Sequence, residues 1–473
     1  MNKQANNKNG NCESTIDSNL DRGSAWIDEP LSISVMGAGY VGLTAAAGLA
    51  ELGHQIVCVE SNRDRLSMIK RGVMPIYEPG LKEIVTANVA NGRLRFTSDV
   101  ELAAADPQLV LLCIGTPPRN DGQPDLSQLA AAGRQLVQAS RTDLVFVIKS
   151  TVPPGSAEAL EMVFQDLADN RIKVSVASNP EFLRESRAVE DFFNPDRVVL
   201  GSDDPQLFNL LDRIYPKNWT TIRTDRRSAE LVKYASNTFL AIKISFANEL
   251  AELAERVGAN APTVIEGVGH DPRIGNTFMQ PGPGYGGSCL PKDIAGFIAV
   301  GAGVGLDLKV ASAARNVNDR RPDDIANRIA AAIGDLTGTR ICVLGLSFKA
   351  GTDDTRFSPA IDLIGELAGR GAVISCYDPM ARLEQTISAT IHDDPYSAAA
   401  GCSAVVIATG WSEFGELDFA LLSQLTSGVS VFDTVGILDP VELASHGLDL
   451  YGLGRGLSTA FHPVVWQPLL WTI

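Results

Sequence analysis

The sequence predicts an α/β protein in which two doubly wound parallel-sheet units are joined by a unit built on one long helix. Three observations carry this. From Leu31 to about Tyr215, short runs rich in branched apolar residues alternate with helical stretches. A second alternating region begins at Thr339. Between the two, Ser228 to Gly258 contains no proline, and no glycine before its last residue, and carries apolar residues on most of its faces.

In chain order, residues 1–30 are polar and lack the apolar core of a signal peptide, so they read as a disordered extension. LSISVMG, HQIVCVE, LVLLCIG, DLVFVIK and RIKVSVAS then read as strands, with LTAAAGLAEL and LSQLAAAGRQLVQA among the helices between them. The long apolar helix reads as a spine between domains or a face for a second subunit. After it, RICVLGLSF is a strand, SPAIDLIGELAGRG a helix ending in glycine, and AVISCYDP, AAAGCSAVVIATG and VSVFDTVG continue the alternation. The expected boundaries are an extension over 1–30, a dinucleotide-binding unit over 31–215, a helical unit over 216–325 and a second doubly wound unit over 326–473.

Composition limits the partners. At 473 residues, two or three domains are expected. Acidic residues outnumber basic ones by 16, a balance that repels nucleic acid and anionic membranes. An anionic substrate then needs a local cluster of cations and backbone N–H groups. No uninterrupted apolar stretch is long enough to cross a bilayer. The seven cysteines lack short-spaced pairs and the five histidines are scattered, so neither a disulfide framework nor a metal site is expected. Cys58, Cys113 and Cys342 lie in strand-like runs as packing residues, and Cys376 and Cys402 resemble them. A reducing, cytoplasmic setting follows.

Chemistry concentrates in a few motifs. GAGYVG, Gly37 to Gly42, directly follows a strand and opens a helix, and Glu60 closes the next strand at the spacing of a dinucleotide site. Gly37 permits the tight turn, Gly39 the approach of a pyrophosphate and Gly42 the helix–strand packing. Glu60 would accept from ribose hydroxyls and repel a 2′-phosphate, so NAD is expected rather than NADP. PGPGYGGSCLPKD, Pro281 to Asp293, sets one cysteine among glycines and prolines. Lys292 and the loop N–H groups are expected to lower the thiol's pKa. Beside a nicotinamide, such a sulfur makes sense for capturing an aldehyde as a thiohemiacetal that is oxidised to a thioester and hydrolysed. Taken alone, the loop reads equally as one with a bystander cysteine. Lys233 and Asn237, four apart, share a face of the long helix, as a cleft pair or a solvated edge. Glu181 and Glu185 sit at helical spacing after a strand, as water-activating carboxylates or a solvated face.

The ordered set GAGYVG, GTPPRNDGQPDLS, KSTVPPG, NPEFLRESRAVEDFFNPDRVVLG, AELVKYASNTFLAIKISFANELA, DPRIG, GYGGSCLPKD and GLSFKAGTDDTRFSPA resembles the UDP-glucose/GDP-mannose dehydrogenase family from Leu31 to about Pro440. The resemblance implies a Rossmann domain for NAD, a helical dimerisation domain and a Rossmann-like domain for the nucleotide sugar. It implies an enzyme that oxidises a sugar C6 alcohol to a carboxylate with two NAD+, for polysaccharide precursor supply, and the long apolar helix points to a homodimer or dimer-based assembly. By position, Cys289 matches the nucleophile, and Lys233 with Asn237 the oxyanion stabilisers. Asp293 matches the acid working with that lysine and water, Glu181 the base for thioester hydrolysis, and Thr151 the hydroxyl orienting the water. Cofactor contacts are implied for Gly37, Gly39, Tyr40, Val41, Gly42, Glu60, Arg65, Thr116, Thr151, Glu185, Lys292 and Arg356. Substrate contacts are implied for Glu181, Phe182, Leu183, Arg184, Glu185, Lys233, Asn237, Arg273, Gln280, Gly284, Tyr285, Gly286, Phe348 and Lys349.

Five positions depart from the family pattern: Glu60 for Asp, Ser186 for Gly, Leu290 for Phe, Phe357 for Glu and Val435 for Arg. SCLPKD also occurs in GDP-mannose relatives, whereas PDRVVLG and DPRIG favour UDP-glucose as the substrate. GDP-mannose or a UDP-N-acetylhexosamine is the alternative. A single-step hydroxyacid dehydrogenase using Lys233, or a non-catalytic nucleotide-binding scaffold, would leave the cysteine loop without a purpose.

Overall fold

The structure is a computed structural model that describes residues 27, 29–119, 121–381, 383, 387–428 and 430–455. The N-terminal extension thus lies mostly outside the described residues. Its end is nonetheless docked: Ile27 packs against Gly53, and Glu29 pairs with Arg213 at 3.1 Å.

The first sheet comprises β1 (Ser32–Met36), β2 (Gln55–Val59), β3 (Leu94–Thr97), β4 (Leu109–Leu112), β5 (Leu144–Ile148), β6 (Val174–Ser178), β7 (Val198–Gly201) and β8 (Thr221–Thr224). Its order is β3-β2-β1-β4-β5-β6-β7-β8. Neighbours are parallel except β6 with β7. The central strands are apolar on both faces because helices cover both, and two separate cores result. Strand order reverses between β1 and β4, which opens a crevice beyond their carboxyl ends. Gly37, Thr116, Thr151 and Glu181 all lie just past such strand ends.

The second sheet holds β9 (Arg340–Leu344), β10 (Val373–Tyr377), β11 (Ala389–Ile391), β12 (Ala404–Ile407), β13 (Ser430–Asp433) and β14 (Asp449–Gly452), in the order β11-β10-β9-β12-β13-β14, all parallel. It repeats the local device of the first. Asp378, after β10, accepts from the N–H groups of Leu346 and Ser347 as Glu60, after β2, accepts from Ala38.

The spine is a single helix, Arg226–Val257, roughly 48 Å long at about 1.5 Å per residue. Asp225 caps it by accepting from the Ser228 N–H, and Gly258 ends it in the left-handed conformation. Near one end, Glu230 accepts from Gly155 and Ala157 at 2.6 and 2.9 Å, at the start of helix Ser156–Ala168, and burial pushes its carboxyl up to about 7. Near the other, Glu252 holds the buried Arg321 at 2.6 Å and Glu255 holds Arg328. The spine therefore ties all three units together.

Two expected boundaries move. The first sheet runs on to Thr224, past 215, because β8 (TIRT) is a mostly exposed edge strand with no apolar signal. The boundary at 325 falls inside helix Arg321–Ile333, whose Ile325, Ala326 and Ile329 pack into the second sheet's core. Cys58, Cys113, Cys342, Cys376 and Cys402 are buried, whereas Cys289 is partly exposed.

Candidate active site

The dinucleotide motif has the shape its residues predict. Gly37 turns at φ +97° and donates to Val59 O at 2.8 Å. A Cβ on Gly42 would lie 1.9 Å from Gly37 O, while one on Gly39 would meet nothing within 4 Å, which leaves room for a pyrophosphate at the helix start. Glu60 is buried, accepting from Ala38 and Asn62 at 3.2 and 2.8 Å with Arg65 at 3.4 Å. Oε2 takes the Ala38 and Arg65 donors, and Oε1, which takes the Asn62 N–H, has a further lone pair for a ribose hydroxyl. The residues fit NAD. Tyr40 pins the motif to the neighbouring loop: its hydroxyl donates to buried Glu78 and accepts from the Ser186 N–H at 2.7 Å. Thr116 Oγ1 donates to Thr151 O at 2.9 Å, joining the ends of two strands.

Three loops, one from each unit, meet beside this crevice. The glycine run at 284–287 exists because it passes too close to the third for side chains. A Cβ on Gly286 would lie 2.2 Å from Phe357 O, and one on Gly287 would lie 2.7 Å from the Phe348 ring. The loop ends at Cys289, which caps helix Leu290–Gly303. Lys349 donates to Glu185 O at 2.6 Å, binding the third loop to the first.

Lys233 and Glu181 form a buried ion pair at 3.0 Å. Burial alone would discharge the lysine. Glu181, then Cys289 and Asp293, outweigh burial and hold the ammonium above the ordinary lysine range. Glu181 is fixed in turn by the Leu183 N–H at 2.6 Å. Asn237 donates to Asp293 at 2.6 Å, and the same carboxylate, fully buried, takes Lys292 at 2.5 Å. Burial pushes the Cys289 thiol up; Lys233 pulls it back, and Glu181 and Asp293 push it up again. This corrects the expected electrostatics. Lys292 is occupied by Asp293, the cation acting most strongly on the sulfur is Lys233, and the free thiol stays above its ordinary value.

Glu185 is buried and accepts from Ser288 Oγ at 2.9 Å, with Arg356 3.8 Å away and forked onto Asp354. Burial and then the charge of Asp354 push its carboxyl up to about 7, against Ser288, Arg356 and Lys349. Arg197 stacks 3.7 Å over the Phe182 ring, and Lys233 lies 5.5 Å from the same ring.

Some implied contacts are not brought here within one chain. Arg273 is exposed and forked onto Asp271, Arg184 turns outward onto Asp191, and Gln280 is exposed. The Tyr285 ring packs in the helical unit's core, with its backbone held by Asn318. Sequence reasoning also passed over useful residues. Ser288 is one. Another group is Lys149, Asn179 and Tyr215, a buried cluster at 2.6–3.0 Å that joins the strand ends leading to Thr151 and Glu181. A lysine closing an otherwise apolar strand was its signal. Of the departures, Ser186 and Phe357 both hold left-handed φ, +63° and +50°, and Leu290 and Val435 are partly buried and pack against apolar cores.

Comparison with known proteins places this geometry. Residues 31–219, 227–320 and 342–440 match the NAD binding, central and UDP binding domains of the UDP-glucose/GDP-mannose dehydrogenase family. The chain is 42% identical over 436 residues to UDP-glucose 6-dehydrogenase of Rhizobium meliloti (strain 1021), covering 90% of this chain and 100% of that protein. Among solved structures, a UDP-glucose dehydrogenase from Pyrobaculum islandicum is similar at TM-score 0.84 and 38% identity, over 90% of this chain and 98% of that one. A UDP-D-ManNAc dehydrogenase from Pyrococcus horikoshii follows at TM-score 0.81 and 30% identity, over 90% and 99%.

Proposed function

The chain belongs to the UDP-glucose/GDP-mannose dehydrogenase family, and from that premise we propose that it oxidises UDP-glucose at C6 to UDP-glucuronate in two NAD-dependent steps. The observation that carries the chemistry is the placement of the Cys289 thiol within the field of a buried Lys233–Glu181 pair and the Asn237–Asp293–Lys292 cluster. NAD+ would supply the hydride acceptor for each oxidation when bound, and the Gly37–Gly42 turn and Glu60, with Thr116, Glu185 and Arg356, would hold it.

Cys289 adds to the C6 aldehyde, forming a carbon–sulfur bond as the carbonyl oxygen gains the charge. Lys233 and Asn237 meet that charge; a donor fixed in advance inside a dry site loses little to reorganisation. The second oxidation leaves a thioester. Glu181 draws a proton from water oriented by Thr151 and Asp293, the water oxygen bonds to C6, and the sulfur departs. Lys349 and the loop N–H groups oppose the substrate's diphosphate on an otherwise acidic protein.

The spine supports a homodimer. Phe239, Phe246 and Leu253 recur every seven residues and are 63%, 50% and 58% exposed, a stripe for a second copy. Among the described residues no helix is long and apolar enough to cross a membrane. Cytoplasmic work supplying polysaccharide precursors completes the reading.

The test is NADH yield. Two NADH per UDP-glucose consumed, with slower turnover of GDP-mannose, is expected. A yield of one would sink the proposal.

A further inference from the structure

Sulfur cannot attack until its proton leaves, and burial here works against the thiolate. The side chains around Cys289 differ in their capacity to take that proton. Asp293 already holds Lys292 and Asn237, and Glu181 holds Lys233 and the Leu183 N–H. Each already faces a cation, and the hydroxyl that meets the sulfur belongs to Ser288 instead. Ser288 Oγ, by contrast, stands 3.6 Å from Cys289 Sγ while donating its hydrogen to Glu185 Oε1 at 2.9 Å. A hydroxyl whose hydrogen points at a carboxylate turns its lone pairs toward its other neighbour, here the S–H. Glu185 Oε2 is buried with no hydrogen-bond partner among the described residues, so this carboxyl has capacity in hand.

We propose that Ser288 and Glu185 form a proton relay that activates Cys289. The thiol hydrogen passes to Ser288 Oγ as the serine hydrogen passes to Glu185 Oε1. The sulfur keeps the electron pair, Lys233 balances its charge, and Glu185 ends neutral. Ser288 touches the reacting sulfur, while Glu185 acts through it. The relay rests on the reading above, because it takes Cys289 as the nucleophile. A carboxyl pushed up to about 7 by burial and Asp354 suits an acceptor that must bind and release a proton near neutrality. The charges facing it are Asp354, Arg356 and Lys349; those facing the sulfur are Lys233, Glu181, Asp293 and Arg356.

Alkylation by iodoacetamide tests this without turnover. The rate of Cys289 modification in the full chain, read by peptide mass spectrometry from pH 6 to 9, is expected to rise through an inflection near 7 as Glu185 ionises, and again when the thiol itself ionises. Ser288→Ala and Glu185→Gln lose the first rise and react about tenfold or more slowly at pH 7.5, whereas Ser288→Thr keeps it. Charge alone predicts the opposite sign, since removing an anion beside a thiol makes it more reactive. Faster alkylation in Glu185→Gln, or an unchanged profile in Ser288→Ala, overturns the relay. Thermal melting confirms that each variant is folded. NADH yield from UDP-glucose, measured separately on the parent protein, shows whether the functional reading fails independently.

Discussion

Replacing Lys233 by Met tests the centre of the site through stability as well as rate. At 3.0 Å, the attraction between Lys233 and Glu181 amounts to about 5–6 kcal/mol at an effective dielectric of about 20, and desolvation of both charges offsets much of it. The variant leaves Glu181 buried without its cation, a loss of about 3–5 kcal/mol unless the carboxylate takes up a proton. For an ordinary glutamate, protonation costs about 1.4 kcal/mol for each pH unit above about 4.3. The escape therefore caps the loss at roughly 4.5 kcal/mol at about pH 7.5 and roughly 1.7 kcal/mol at about pH 5.5. The sign follows from the order of proton release. As pH rises, the unfolded variant gives up this proton first, so the folded variant loses stability while the parent keeps a paired carboxylate. Urea midpoints for both proteins at the two pH values measure the difference. Adding Glu181→Leu to the variant removes the stranded charge and recovers most of the loss. Turnover falls about a hundred- to a thousandfold, the cost of removing a donor from an oxyanion site. Equal destabilisation at both pH values, or a double variant no better than the single one, would refute the pairing.

Three further outcomes are expected. Gly42→Ala sets a methyl 1.9 Å from Gly37 O, so the turn must open; NAD+ affinity by calorimetry falls by at least about a hundredfold, roughly 3 kcal/mol, and the melting temperature falls as well because backbone has to shift. Ser186→Gly releases a left-handed serine at φ +63° and raises stability by about 0.5–1 kcal/mol, less the lost Ser186–Glu185 hydrogen bond; a lower melting temperature would count against strain there. Phe239→Glu with Phe246→Glu places charges on the exposed stripe, and light scattering is expected to give half the parent's mass.

The fold was legible because its signals are local. Apolar strands at even intervals, GAGYVG opening a helix and an unbroken helical run each follow from the residues present. Edge strands escaped for the same reason: β8 is polar and exposed, so its pairing with β7 is decided by geometry and leaves no apolar trace. The motif residues were legible too, but their partners were not. Chain order sets Lys292 beside Cys289, yet folding gives that lysine to Asp293 and brings Lys233, from the spine, to bear on the sulfur. Distance through space, not along the chain, determines Coulomb energy, and burial decides how much of it survives. Residue types and spacings by themselves therefore determined the layers and the nucleotide turn, and marked Cys289 as a candidate. Only the tertiary structure decided which charge answers which, since that depends on three loops from three units meeting at one point.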